Sequence, residues 1–444
     1  MEQQHFESLY PDTARSLEIQ KLSEFIKSGA SCQLLSIPGA GRGTVLRLLA
    51  NNKKVRVKHF GKSHVSTHFV LVNFAEVRGR ALFDIMKFMF LSLCDSLRAR
   101  KMDDEYKKVN SLFKESLAPG DELVLFQGLK EAIDYLALEQ KLKIVLLLDR
   151  FEEYVPSVTS EFFANLRVLR NRAKYQFSVV FSLNRPLEDI LEPTLISDYH
   201  EFVAGNYVYV RLQDRITTDF RVSYIEKVTG KKVEKALHEQ IIKETGGVGK
   251  LVKLAVETVL SRPLMGKDKN LHEYLYSQKS IQGALVDICR SLNPSEQTTL
   301  IKGKYDDLSA VNYLECVGVL QGNRIQIPLF EQHISSHAVS VQASGSKIIF
   351  DPNTNSITKG DLVLSDQLTS SEFKLLKFLL QNTEKILDRE EVISVVWSDV
   401  KSTAGITDQA VDQLIFRLRR KIEEDPNHPT HLMTVKGRGF KFVA

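Results

Sequence analysis

Cysteine is scarce in this chain of 444 residues: Cys32, Cys94, Cys289 and Cys316 stand far apart. They form neither the paired spacing of a zinc site nor a disulfide framework, so the expectation is four reduced thiols in a cytoplasmic protein. Long apolar runs are missing as well. No stretch reaches the roughly eighteen residues that a membrane helix needs, and the opening MEQQHFESLY has no basic segment followed by an apolar one. Neither membrane insertion nor secretion is expected. Proline is low, at 12 residues, and no repeat or low-complexity tract occurs, which argues against a disordered chain. The formal charge of +5 is small for this length, so affinity for nucleic acid has to come from local clusters.

What is present is ordinary globular material, 43% apolar and 26% charged. The length exceeds what one core organises and predicts about two to four domains. After the helical stretch LEIQKLSEFIKS (17–28), the buried run CQLLSI (32–37) leads into PGAGRGT and a helix, TVLRLLANN. Further strands are predicted at HFVLVNF (68–74), KIVLLLD (143–149) and FSVVFSLN (177–184), with helical segments between them, among them Leu82 to Arg98. Strands alternating with helices predict a parallel sheet covered on both faces.

The predicted organisation is an α/β domain over 1–215, a helical lid over 216–265 and a helical or winged-helix segment over 275–337. A linker, AVSVQASGS (338–346), then leads into an α+β domain at 347–444. In the middle segment, an NR turn inside GVLQGNRIQI predicts a small hairpin.

The last hundred residues open with short strands, KIIFDP, SITKG and DLVLS. TSSE then places a capping hydroxyl at Thr369 and Glu372 three residues on, ahead of FKLLKFLLQN. REEVISVVW (389–397) and ITDQAVDQLIFRLRRKIEED (406–425) supply two more helices, and THLMTVKGRGFKFVA two strands joined at KGRG. Phe373, Leu376, Leu379, Val392, Val396, Trp397, Val411, Ile415, Leu418 and Phe442 have core spacing. A helix fits the major groove, and a glycine-tipped hairpin beside it brings cations to a phosphate or the minor groove.

LTSSEFKLLKFLL, DREEVISVVW, VDQLIFRLRRKI and TVKGRGFKF together resemble the OmpR/PhoB-type winged-helix regulators. The resemblance implies a recognition helix presenting Gln409, Gln413 and Arg417 to double-stranded DNA, with Arg419 near the phosphates and Lys436 and Arg438 on the wing. Ala410, Leu414 and Phe416 depart from the polar or basic residues common there, which implies sparse or unusual base readout. Read without the resemblance, RLRRK is a solvated helix end that compensates the helix dipole.

The loop SIPGAGRGT is a weakened Walker A pattern, GxxxxGK[ST]. Ser36 replaces the first glycine, Arg42 replaces lysine, Gly43 stands where the magnesium-binding hydroxyl belongs, and Thr44 comes one residue late. Gly39, Gly41 and the helix N-terminus keep backbone groups suited to an anion. Asp149, ending a buried strand, is a candidate carboxylate for magnesium, and Asn184 a candidate sensor. These elements resemble P-loop ATPases of the AAA or STAND type, and TGGVGKLVKLA resembles their lid helix, with Lys250 a second sensor. That likeness implies ATP or ADP with Mg as cofactor, with Asp149 and Asn184 as the catalytic candidates. No acidic phosphoacceptor cluster precedes the winged helix.

Three functions stay open at this stage. The first is a transcription regulator whose N-terminal module senses a nucleotide, a signal or a partner and controls self-association or exposure of the C-terminal DNA-binding domain. The second is an ATP-dependent signalling or replication-initiator-type ATPase, and the third a protein-interaction scaffold with an inactive ATPase fold.

Overall fold

A computed structural model describes residues 5–443 apart from 119, 193–194, 204, 262–269, 344–346, 361, 399–405, 424–425 and 427. Two compact units emerge: residues 1–187 with 197–232, and residues 188–196 with 233–444.

The first stretch of chain runs α1 (Ser16–Ser28), β1 (Cys32–Leu35), α2 (Arg42–Asn51), α3 (Lys53–Phe60), β2 (Thr67–Asn73) and α4 (Leu82–Ala99). It continues with α5 (Asp103–Leu117), α6 (Glu122–Asp134), β3 (Lys143–Asp149), α7 (Ser160–Ala173) and β4 (Phe177–Leu183). Short helices α8 (Leu187–Ile190) and α9 (Ile196–Val203), β5 (Tyr207–Tyr209) and α10 (Arg215–Thr229) follow. The five strands form one parallel sheet in the order β2-β3-β4-β1-β5.

Every residue of β1 and β4 is buried, and all of β3 but its first. This is why those strands read as unbroken apolar runs rather than alternating ones. Val45, Leu46, Leu48 and Leu49 of α2 pack with Leu34, Val145, Leu147 and Val180 in the core. β1 lies next to β4, not β3, with Leu35 in register with Leu183. The strand order therefore gathers the loop after β1 and the ends of β3 and β4 at the C-terminal edge of the sheet, where α/β folds collect their functional groups. The three-residue β5 was too short to stand out in the sequence, and α10 packs with the sheet unit rather than with the helices after it.

The second unit continues with α11 (Lys235–Thr245), α12 (Gly249–Ser261), α13 (Leu271–Tyr276), α14 (Lys279–Ser291), α15 (Pro294–Lys302) and α16 (Leu308–Cys316). The hairpin β6 (Leu320–Gln321) and β7 (Arg324–Ile325) turns at Gly322 and Asn323, one residue before the NR turn expected. α17 (Pro328–Ala343) overturns the linker reading of 338–343, while 344–346 lie outside the described residues. Alanine and glutamine favour helix, and no glycine or proline interrupts the chain before Gly345.

The last part has β8 (Ile348–Asp351), β9 (Ser356–Lys359) and β10 (Leu362–Val363), then α18 (Ser370–Gln381), β11 (Ile386–Leu387), α19 (Arg389–Val396) and α20 (Asp408–Ile422). β12 (Leu432–Val435) and β13 (Gly439–Phe442) close the chain. A three-stranded sheet, β10-β9-β8, precedes the helices, and a second one, β11-β13-β12, follows them. Capping boxes start α18, with Thr369 and Glu372, and α19, with Asp388 and Glu391. Leu376, Leu379, Val392, Val396, Trp397, Val411, Ile415, Leu418 and Phe442 share one core, and Phe373 packs against it partly buried. Among the described residues no helix is long and apolar enough to cross a membrane, and no group of His, Cys, Asp or Glu is placed to hold a metal ion.

Candidate functional site

Two sites follow from these elements. In the second unit, α20 starts at the Thr407 cap, whose hydroxyl accepts from the Ala410 N–H. Its core stripe is Val411, Leu414, Ile415, Leu418 and Ile422. Opposite that stripe Gln409, Asp412 and Phe416 are exposed and Gln413 is half-buried. Arg389, at the start of α19, neutralises Asp412 (2.5 Å) and rests over the Phe440 ring. Sequence reasoning passed over Arg389, because its pairing with Asp412 links two helices.

Arg417 does not face outward, contrary to the expectation that it reads the groove. It is 4% exposed, its Nε lies 3.2 Å from the fully buried Glu372 carboxylate, and its guanidinium donates to the Leu191 carbonyl. Lys421 binds the same carboxylate. The cause is Glu372 itself, which closes the α18 capping box by accepting from the Thr369 N–H at 2.8 Å. A carboxylate held inside the core requires cations beside it. Burial on its own would raise the Glu372 pKa, but Lys421, Arg417 and the hydrogen bonds outweigh it and hold the carboxyl below its usual range.

Arg419 is likewise occupied, donating to the Leu432 carbonyl (2.9 Å) and the Thr434 hydroxyl (2.8 Å). It ties α20 to the wing strand β12 instead of projecting toward phosphates. Burial lowers its pKa, against the opposing pull of Glu423 and Asp412. Arg420 pairs with Asp189 at 3.0 Å. On the wing, Lys436 and Arg438 are exposed on the turn between β12 and β13. Gly439 makes that turn possible. Its φ is +123°, and a Cβ there would lie 2.0 Å from the Leu387 carbonyl oxygen.

In the first unit, Gly41 caps α2 at φ +114° and Arg42 begins the helix, with Gly43 and Thr44 after it. Two predicted residues do come together here, with Glu152 added: Arg42 donates to Asn184 Oδ1 (2.6 Å) and to Glu152 Oε1 (2.7 Å). Asp149, 6% exposed, accepts from the Ser182 hydroxyl (3.3 Å) and lies 3.9 Å from Arg47 Nη1. Arg15 donates to the Ala40 carbonyl at 2.5 Å. Arg15 and Arg47 escaped sequence reasoning because neither belongs to the motif. Lys250, expected as a sensor, is on α12 in the second unit and binds Asp287 at 2.8 Å.

Residues 366–442 match the family described as "Transcriptional regulatory protein, C terminal". The sensory transduction protein RegX3 of Mycolicibacterium smegmatis is 43% identical over 74 residues, 17% of this chain and 31% of RegX3, so the chain spans about a third of that relative's length. Among solved structures, the DNA-binding domain of Klebsiella pneumoniae RstA, in complex with the RstA box, is 26% identical. It covers 22% of this chain and 93% of its own, with a TM-score of 0.19. The Walker-type ATPase PABY2304 of Pyrococcus abyssi is 14% identical and covers 80% of this chain and 95% of its own, with a TM-score of 0.43. Exposed helix face and glycine-tipped wing fall within the matched segment, and residues 366–442 of this chain are similar to the C-terminal domain of OmpR/PhoB-type transcriptional regulators.

Proposed function

We propose that this chain is a DNA-binding transcription regulator: its C-terminal domain grips duplex DNA, and its N-terminal α/β unit controls that grip in response to a signal or a protein partner. One observation carries the reading. Within a segment that matches the regulator family, α20 presents a solvent-facing row beside a basic, glycine-tipped wing.

At 15 residues α20 is roughly 22 Å long, enough to lie along a major groove. Gln409 and Gln413 are one helical turn apart, and glutamine suits the paired donor and acceptor of adenine. Phe416, 47% exposed, offers an apolar contact for a thymine methyl. Lys436 and Arg438 supply the phosphate contacts. With Arg417 and Arg419 used internally, few cations are left for the backbone, so this domain binds DNA with a shallow salt dependence.

The test is fluorescence anisotropy of the full chain on its own upstream intergenic DNA across a salt series. Lys436→Ala and Arg438→Ala should each lower the slope of log K against log salt by roughly 1, while Gln413→Ala relaxes sequence preference at constant slope. Binding no tighter than the salt-sensitive background, unaltered by the wing variants, would sink the reading and favour the scaffold.

A further inference from the structure

The loop after β1 has the backbone of a phosphate cradle, but its surroundings do not fit a magnesium nucleotide. Arg42, at the lysine position, makes two short bonds, to Glu152 and Asn184. A phosphate taken by the same guanidinium nitrogen would compete with both, and one bound anywhere on Arg42 would bring its charge beside the Glu152 carboxylate. Arg42 Nη1 and Glu152 Oε2 are buried without a partner among the described residues. A donor next to an acceptor is complementary to a neutral molecule such as water rather than to an anion.

The metal side of the site is altered to match. Position 43 carries no hydroxyl, and a Cβ there would sit 2.5 Å from Arg47 Nη1 and 3.2 Å from Asp149 Oδ2. Arg47 is four residues further along α2, on the same helix face, so the room a serine or threonine would fill holds its guanidinium instead. It places a cation beside Asp149, as magnesium would. From the other side Arg15, 3% exposed, donates to the Ala40 carbonyl, and to that of Arg211 at 2.6 Å. A Cβ at Gly41 would lie 2.8 Å from its Nη2.

We propose that the loop is a nucleotide-free and metal-free element, in which the guanidinium groups of Arg15, Arg42 and Arg47 supply the positive charge that magnesium and a Walker lysine supply in an ATPase. The α/β unit is then complete in its folded form, and whatever it senses is not read through this loop. This holds whether or not the C-terminal domain binds DNA.

Calorimetric titration of the full chain with ATP and with ADP, each with magnesium and with EDTA, tests the first half. No saturable heat is expected, and 1 mM nucleotide should leave the scanning-calorimetry profile unmoved, whereas a ligand at about a hundred times its Kd stabilises measurably. Arg42→Ala tests the second half: with no nucleotide added, its first-unit transition should fall by several degrees, because Glu152 and Asn184 lose their donor. Saturable nucleotide binding by the wild-type chain overturns the proposal, and so does an Arg42→Ala protein as stable as wild type.

Discussion

Replacing Glu372 by glutamine removes one charge from the middle of the C-terminal core and leaves the shape almost unchanged. The carboxylate is fully buried and holds Arg417 at 3.2 Å together with Lys421, and Arg417 is itself 4% exposed. Breaking a buried pair by removing one partner costs about 3–5 kcal/mol, because the remaining cation is left desolvated and unpaired. With a urea slope of about 1.5 kcal/mol/M for a domain of this size, even 3 kcal/mol moves the midpoint down by about 2 M.

The readout is intrinsic. Trp397 is the single tryptophan of the chain and is 4% exposed in that core, so its fluorescence follows this domain and not the α/β unit. The effect should also depend on pH. The folded pKa of Glu372 lies below its unfolded value, so its ionic stabilisation is complete above the ordinary glutamate range. It is lost as pH falls through the folded value, and the wild-type and Glu372→Gln midpoints should converge in acid. A midpoint shift at pH 7 worth less than about 1 kcal/mol would refute the claim that this carboxylate organises the core and holds Arg417 inward.

The wing and the α/β unit give two more tests. Gly439→Ala should lower the Trp397 midpoint by about 2 kcal/mol or more and weaken DNA binding, since the added Cβ collides with the Leu387 carbonyl at a left-handed φ. An alanine variant with wild-type stability would mean that the wing strand does not approach β11 so closely. His68, held neutral by burial and by Arg100 and Arg56, has its pKa pulled down to about 3. Its contribution is therefore present above the unfolded value near 6.5 and is lost as pH falls from there toward about 3. Its imidazole resonances should not titrate between pH 8 and 5, and His68→Gln should reduce the unit's sensitivity to acid.

Local patterns carried much of this protein in the sequence itself. The apolar runs of β3 and β4 mark strands covered on both faces, and TSSE marks the start of α18, because a cap and its glutamate lie three residues apart. The glycines of KGRG mark the wing for the same reason: backbone conformation is set by the residue that adopts it. The core positions of α20 were legible from helical spacing.

What the sequence could not determine was the partner of each charge. Arg417 belongs to a basic run that reads as surface, yet it turns inward because Glu372, 45 positions earlier, is sealed in the core by its capping role. Arg42 looks like a lysine substitute for phosphates until Asn184 and Glu152 are seen on it, brought there by a strand order that places β4 beside β1. Composition and periodicity determine which residues are apolar and which segments are helix or strand, because those choices depend on neighbours along the chain. Which cations remain free to act is decided only by tertiary structure, because burial of one charge dictates the position of another far away in sequence.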